Sequence, residues 1–237
     1  MSGIIKGYDN INVGCSHEEM IPNWLGITIW GGNYDGLSED EIQDGIQIYK
    51  HDDAGGHVIN HNVNKGLPFR DNSISNIYSS HFIEHLTYTE AKDFLKESFR
   101  VLRPNHTIRI VCPDISIWIE KLYKNKDKKF FSEYKKMLDI DYWENYIFSE
   151  HHNIKTNTQI FNSMIFNWGH KWMWDYESLK LELNKIGFKN IEKKSFLNGK
   201  LDELEHIENR LSQDKIETRN LESIFIEATK PKDDRIL

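Results

Sequence analysis

Three histidines and one glycine stand where chemistry could be done. The segment Ser80-His81-Phe82-Ile83-Glu84-His85 sets two histidines four residues apart, with a glutamate beside the second. A third, His170, opens His170-Lys171-Trp172 much later in the chain. An imidazole can accept or return a proton near neutral pH, so His81, His85 and His170 are candidate general bases. Four-residue spacing can also bring two imidazoles onto one metal ion. HFIEH is not the HExxH arrangement, however, and implies no third ligand, so no metal site is expected. The glycine is Gly14 in Ile11-Asn12-Val13-Gly14-Cys15-Ser16. Open α/β sheets hold nucleotide-like ligands where a strand ends in a glycine turn, because a residue without a side chain lets backbone touch the ligand. The same pattern is also an ordinary turn. Cys15 adjoins it, with no neighbouring base in sequence to activate its thiol.

These residues need elements to position them. Short apolar runs at 11–13, 25–30, 57–61, 74–78 and 107–112 read as strands. Between the last two, Thr87 and Glu90 have capping-box spacing, Leu95, Phe99 and Leu102 share one helical face, and Pro104 stops the helix. Strands alternating with helices argue for a parallel sheet covered on both faces. From 116 to 167 the pattern turns irregular and aromatic-rich. Asp175 is an N-cap for a second helix, with Leu179, Leu183 and Ile186 on one face and Gly187 at its end. Runs at 189–196 and 223–229 read as strands. The acidic stretch between them, 202–222, reads as a solvated helical excursion, and the residues from Pro231 as a loose tail.

Residues 66–86, GLPFRDNSISNIYSSHFIEHL, followed by the helix and by RVLRPNHTIRIVCPD at 100–114, make a more specific pattern. It resembles the class I S-adenosylmethionine-dependent methyltransferases of the type 11 kind. Leu67-Pro68-Phe69, Asp71, Ser73, Ser80, His81, Glu84-His85, Arg100 to Pro104 and Pro113-Asp114 match that pattern in order. Residues 169–188, GHKWMWDYESLKLELNKIGF, are similar to a segment that follows the variable region in relatives. The resemblance covers about half the chain. It implies an α/β, Rossmann-like fold: a mostly parallel seven-stranded sheet, helices on both faces and an antiparallel C-terminal hairpin. It implies S-adenosylmethionine as cofactor, held by Gly14, Cys15, Ser16, Thr28, Asn62, Leu67, Ser80 and His81. It also implies a single domain, with a core of about 8–115 and 175–230 and an acceptor-side cover of about 116–174. A sugar or other small hydroxylated acceptor is the expected substrate.

Three positions depart from the family pattern. Ser16 replaces a second glycine. Thr28 stands where an acidic residue would take both ribose hydroxyls, leaving Asp35, Glu39 or Asp40 in the following loop as possible substitutes. Asn62 stands where an aspartate would face the adenine, although its carbonyl oxygen can still accept from the adenine amino group. These departures keep a second reading open, a catalytically inactive methyltransferase-like binding protein. A nicotinamide-dependent oxidoreductase fits less well, without GxGxxG after the first strand or an acid at Thr28. His81 is the catalytic candidate on the cofactor rim, or else a histidine that shapes its turn. His170 is the catalytic candidate outside the cofactor loops, able to orient or deprotonate an acceptor hydroxyl, or else an anchor for the helix after it. Trp168, Trp172, Trp174 and Tyr176 line an acceptor pocket or belong to the core.

Composition bounds the rest. A chain of 237 residues can build a full core without a disulfide or metal staple. With 38% hydrophobic and 28% charged residues it has the apolar surface to fold, which excludes global disorder. A net charge of −7 argues against nonspecific nucleic-acid binding. Two cysteines, Cys15 and Cys112, make no disulfide framework and suit a reducing compartment. No run of 18 apolar residues could span a membrane, and residues 1–7 lack the apolar core of a secretory signal. A cytoplasmic protein is the expectation.

Overall fold

The computed structural model describes residues 4–15, 20–28, 37–51, 55–140, 155–166, 169–201, 203–209 and 213–232. Ser16, Asp35, Trp168 and the His151-His152 pair lie outside them. Strands β1 (Asn10–Val13), β2 (Trp24–Thr28), β3 (Leu37–Gln43), β4 (Ile46–His51), β5 (His57–Asn60), β6 (Ile74–Ser80), β7 (Leu102–Pro113), β8 (Lys189–Lys194) and β9 (Ser223–Thr229) form one sheet. Their order is β3-β4-β5-β2-β1-β6-β7-β9-β8. The run from β5 to β8 is the expected seven-stranded sheet. It is parallel from β5 through β7, and β9 is antiparallel to both its neighbours. The inner strands are buried on both faces, which is why they read as continuous apolar runs.

Two strands go beyond that expectation. Residues 37–51, read as part of a long loop, form the antiparallel hairpin β3–β4 on the β5 edge. In β3 the five residues Ser38 to Ile42 are all exposed, so no apolar face announces the strand. Such a polar edge resists pairing with other chains.

Helix α1 (Tyr88–Val101) starts at the expected capping box: the Glu90 amide donates to Thr87 Oγ1 and the Thr87 amide to the Glu90 carboxylate. Helices α2 (Ile115–Ile119), α3 (Lys128–Ile140) and α4 (Asn157–Phe166) follow, α2 running on into a wider π turn at Glu120–Lys124. Trp118, Leu122, Phe130, Tyr134, Ile160 and Met164 give this region a small core of its own. Helix α5 (Tyr176–Ile186) is capped by Asp175 and ended by Gly187, whose φ of 119° suits a glycine. Helices α1 and α5 pack on the main core with the inner strands.

The opposite face is built differently. Only residues 14–23 connect β1 to β2, fewer than a parallel crossover with a helix normally takes, and none of the described ones is helical. Trp24 and Ile21 pack instead on Leu201, Leu204 and Ile207, from the start of the excursion and from helix α6 (Leu204–Glu208). The Trp24 indole N–H donates to Glu203 at 2.6 Å. The excursion, which also carries helix α7 (Gln213–Glu222), is therefore not a solvated appendage; it covers the sheet. Buried Arg109 on β7 secures it, donating to Glu208 at 2.7 Å, to Glu227 at 3.1 Å and to the carbonyls of Ser195 and Asn198.

Candidate functional site

The chain runs outward from β1 through β2 to β5, then returns to β6 on β1's other side. At such a reversal the crevice outside the strands' carboxyl ends is the natural ligand site of an open α/β sheet. Register shows what faces it. Val13 lies level with Ile27 and Ser79, so Gly14, Thr28 and Ser80 come next in a row, with Asn60 beside Thr28. The sequence-derived cofactor residues Gly14, Thr28, Asn62, Ser80 and His81 thus share one edge.

Their local chemistry is uneven. Gly14 has a φ of 80°, and its amide donates to the Ile27 carbonyl at 2.7 Å. A Cβ there would overlap the Phe82 side chain, so the glycine is needed for Phe82 to seat against the turn. Thr28 is half-buried at the end of β2. Asn62 caps a short turn, its Oδ1 accepting from the Asn64 amide at 3.0 Å. Two candidates also serve the fold. The Cys15 side chain packs with Met20 and Val58 and sits over Gly26, where a Cβ would overlap its sulfur. Leu67 is a core residue whose amide donates to Glu97 and whose carbonyl accepts from Arg100. Of the substitutes for a ribose acid, Asp40 is paired with His57 at 3.1 Å and Glu39 is exposed on β3.

The frame fits a nucleoside-type cofactor: a row of strand ends around a glycine turn, with the Thr28 hydroxyl and the Asn62 amide at hand. Among the described residues of that row, no carboxylate stands at the end of β2.

Beyond β6 the edge becomes a buried polar cluster. His81 adopts a φ of 48°, and its amide donates to the Val111 carbonyl at 2.8 Å. Its Nε2 lies 3.1 Å from Ser223 Oγ and its Nδ1 3.5 Å from Glu84 Oε1. Burial, then Arg219, His170 and His85, hold its pKa well below the usual histidine range, so the ring is neutral. Glu84 is fully buried, and neither carboxylate oxygen meets a hydrogen-bond donor. Burial pushes its carboxyl up to about 8, with its own amide and Arg219 pulling the other way. Glu222 is raised to about 8 by burial and then by Glu84. Arg219 donates to Ser80 Oγ at 2.7 Å.

His170 joins this cluster through backbone. The amides of Lys171 and Trp172 donate to the Glu84 carbonyl at 2.8 and 3.2 Å. That pins the segment to the turn after β6 and sets the His170 ring 4.9 Å from that of His85. His170 Nδ1 lies 2.6 Å from the Met164 carbonyl, which can only accept, so Nδ1 donates. Burial and then His85 lower its pKa to about 4. Of the aromatic set, Trp172 and Trp174 meet edge to face with centroids 6.3 Å apart, both beside Tyr88. Trp174 is core, half-buried Tyr176 packs against that same core, and Trp172 is partly exposed over Tyr88. Buried Cys112 has its thiol pushed well up by burial, Glu84 and Asp114, which leaves it inert.

Sequence reading singled out His81 and His170 but missed Arg219, Glu222 and Ser223. Nothing in a solvated-looking acidic stretch, or in the first residue of the strand after it, marks residues that fold back onto a strand end more than 130 positions earlier.

Residues 13–110 match a family model described as a methyltransferase domain. No curated protein matches the chain in sequence. Among solved structures, a SAM dependent methyltransferase from Archaeoglobus fulgidus is similar at 18% identity and a TM-score of 0.47, over 95% of this chain and 87% of that one. A possible histamine N-methyltransferase from Thermotoga maritima is similar at 12% identity and 0.45, over 95% and 83%. A phosphoethanolamine N-methyltransferase from Haemonchus contortus, bound to phosphomonomethylethanolamine and S-adenosylhomocysteine, is similar at 13% identity and 0.44. That match takes in 98% of this chain and half of the other. No helix among the described residues is long and apolar enough to cross a membrane.

Proposed function

We propose, from the premise that this chain carries an S-adenosylmethionine-dependent methyltransferase domain, that it methylates a hydroxyl of a small molecule, a sugar being the best fit. The observation that carries the reading is one juxtaposition. A glycine turn fit for a cofactor and a cluster of neutral histidines flank the same crevice between β1 and β6. Gly14, Thr28, Asn62 and Ser80 are the residues proposed to hold the cofactor, with Phe82 seated between the turn and the cluster. S-adenosylmethionine supplies a methyl group already activated on a sulfonium. The chain's task is then mainly to align acceptor and methyl, and positioning alone contributes several kcal/mol, of order ~7–11 in the best intramolecular cases.

A hydroxyl acceptor also has a proton to lose. Neutral His81 and His170 can take or orient it, and the uncharged Glu84 beside them adds no competing charge at neutral pH. An ammonium acceptor would instead meet the positive Arg219 at Ser80. Residues 116–174 are the proposed acceptor-side cover, keeping water from the crevice.

Isothermal titration with S-adenosylhomocysteine tests the reading without knowledge of the acceptor. Saturable binding that Thr28 and Asn62 variants change supports it. No heat at millimolar ligand, with the protein folded, would leave the inactive binding protein as the account.

A further inference from the structure

Ser223, His81 and Glu84 stand in line: hydroxyl, imidazole, carboxyl. Ser223 Oγ lies 3.1 Å from His81 Nε2, and Glu84 Oε1 lies 3.5 Å from His81 Nδ1. The topology brings them together. Strand β6 is parallel to its neighbours and ends at the crevice with Ser80, so His81 and Glu84 follow in the turn after it. Strand β9 is antiparallel, so its first residue, Ser223, stands at that same edge, level with Pro113. Helix α7 ends one residue before Ser223 and is tied down there. Arg219 donates to Ser80 Oγ at 2.7 Å, and the Asp114 amide donates to the Glu222 carbonyl at 2.8 Å. His81 itself is held at a φ of 48°, and such outliers gather at functional sites.

We propose that Ser223, His81 and Glu84 form a relay that carries the acceptor's proton from the crevice into the interior. The inference rests on the methyltransferase reading. The acceptor hydroxyl gives its proton to Ser223 Oγ as the Ser223 proton moves to His81 Nε2 and the Nδ1 proton moves to the Glu84 carboxylate. The O–CH3 bond forms as the S–CH3 bond breaks, its electron pair going to sulfur. Sulfonium and carboxylate are both neutralised, and His81 ends as neutral as it began. A hydroxyl and a neutral imidazole can each take a proton on one side and give one on the other. His81 is a poor resting place for that proton, because burial, then Arg219, His170 and His85, disfavour the imidazolium. Glu84 is a better one: a carboxyl that burial raises to about 8 suits proton pickup near neutral pH. Neither Glu84 oxygen meets a hydrogen-bond donor, so closing the gap to Nδ1 by about half an ångström costs no other bond. The groups facing Glu84 are Arg219 and Glu222 from α7, His85 and His170, and Cys112 from β7. Arg219 favours the ionised carboxyl and Glu222 opposes it. The tautomer of His81 reports the state of the relay. With Glu84 protonated, its O–H donates to Nδ1 and Nε2–H donates to Ser223. With Glu84 ionised, Nδ1–H donates to the carboxylate and Nε2 accepts from Ser223.

The test is 15N NMR of the full chain, labelled at histidine, from about pH 6 to about pH 10, with His81 assigned through His81→Gln. Expected is a ring that stays neutral and inverts from Nε2–H to Nδ1–H, with a midpoint at about 8. Glu84→Gln should abolish the inversion, and Glu222→Gln should keep it at a lower midpoint. In Ser223→Ala the alkaline Nε2 signal should move to that of a ring nitrogen without a donor, and Ser223→Thr should restore it. Bound S-adenosylmethionine, positive at sulfur, should lower the midpoint by about half a pH unit or more relative to bound S-adenosylhomocysteine. One tautomer throughout in the unmodified protein overturns the relay, whatever the variants do. So does an inversion that folded Glu84→Gln retains, or a midpoint equal with both ligands. A chain that binds S-adenosylhomocysteine while His81 keeps one tautomer overturns the relay and keeps the methyltransferase reading. One that inverts but binds neither ligand keeps the proton chain and overturns that reading.

Discussion

Replacing Glu84 by glutamine should flatten the pH dependence of stability, and the size follows from the structure. In the unfolded chain the carboxyl ionises near 4.5; in the fold, burial with no donor to either oxygen holds it protonated up to about 8. Between those values the folded state keeps a proton that the unfolded state has lost, so stability falls as pH rises. The loss amounts to about 1 kcal/mol at pH 5 and about 3 kcal/mol at pH 7, at 1.36 kcal/mol per pH unit. Glutamine has nearly the same shape and no proton to lose. Urea unfolding should therefore show the native protein losing about 2–3 kcal/mol relative to Glu84→Gln between pH 5 and pH 7. Glu222 is raised by burial and by Glu84, so the two titrate as a coupled pair, and the comparison reports Glu84 together with its coupling to Glu222. Two parallel stability curves would refute the reasoning. They would mean that Glu84 is ionised in the fold and that something completes it.

Four other outcomes follow from the same geometry. Gly14→Ala should cost about 2–4 kcal/mol of stability, from its left-handed backbone and from displacing Phe82; an unchanged melting curve would remove Phe82 from that turn. Thr28→Asp should tighten S-adenosylhomocysteine binding about ten- to a hundredfold by calorimetry, a charge-assisted contact being worth about 1.5–3 kcal/mol; weaker binding would take the end of β2 out of the site. Arg109→Met strands two buried carboxylates and should cost about 3–5 kcal/mol in urea unfolding, and a neutral result would mean that the excursion docks without it. His170→Asn retains a donor for the Met164 carbonyl but lacks Nε2, so turnover should drop at least tenfold with little change in melting temperature; a large melting loss with normal activity would make His170 an anchor only.

Much of the frame was legible. The apolar runs of β1, β2, β5, β6 and β7 could be read because a strand buried on both faces carries apolar residues without interruption. Helices α1 and α5 could be read because their caps use local chemistry, Thr87 with Glu90 and Asp175 with Ser178. The hairpin β3–β4 could not, since β3 exposes Ser38 to Ile42 and pairs only as an edge. For the site, the same division holds. Gly14 and the SHFIEH turn were visible as motifs. The meeting of Glu84 with His170 depends on Lys171 and Trp172 bonding to one carbonyl, and that of Ser80 with Arg219 on helix α7 returning to the strand ends. Both are long-range docking events that no local spacing encodes. The same limit explains why 202–222 looked solvated: Glu208 and Glu222 are polar letters in the sequence but buried groups in the fold.

The short crossover between β1 and β2 has a consequence for synthesis. In most parallel sheets the central strands are covered by the helix that joins them, so cover and strand emerge from the ribosome together. Here the cover of Trp24 arrives with Glu203, 179 residues later, and β9, which seals β7, follows after it. The patch around Trp24, Tyr78 and Val111 therefore waits for its partners from the excursion while the rest is made, a span of roughly 10–40 s at ordinary elongation rates. Nascent chains arrested before residue 200 should be open to protease at Trp24 and should bind holdase chaperones. Release of that binding should coincide with the appearance of the excursion, not with completion of the inner strands.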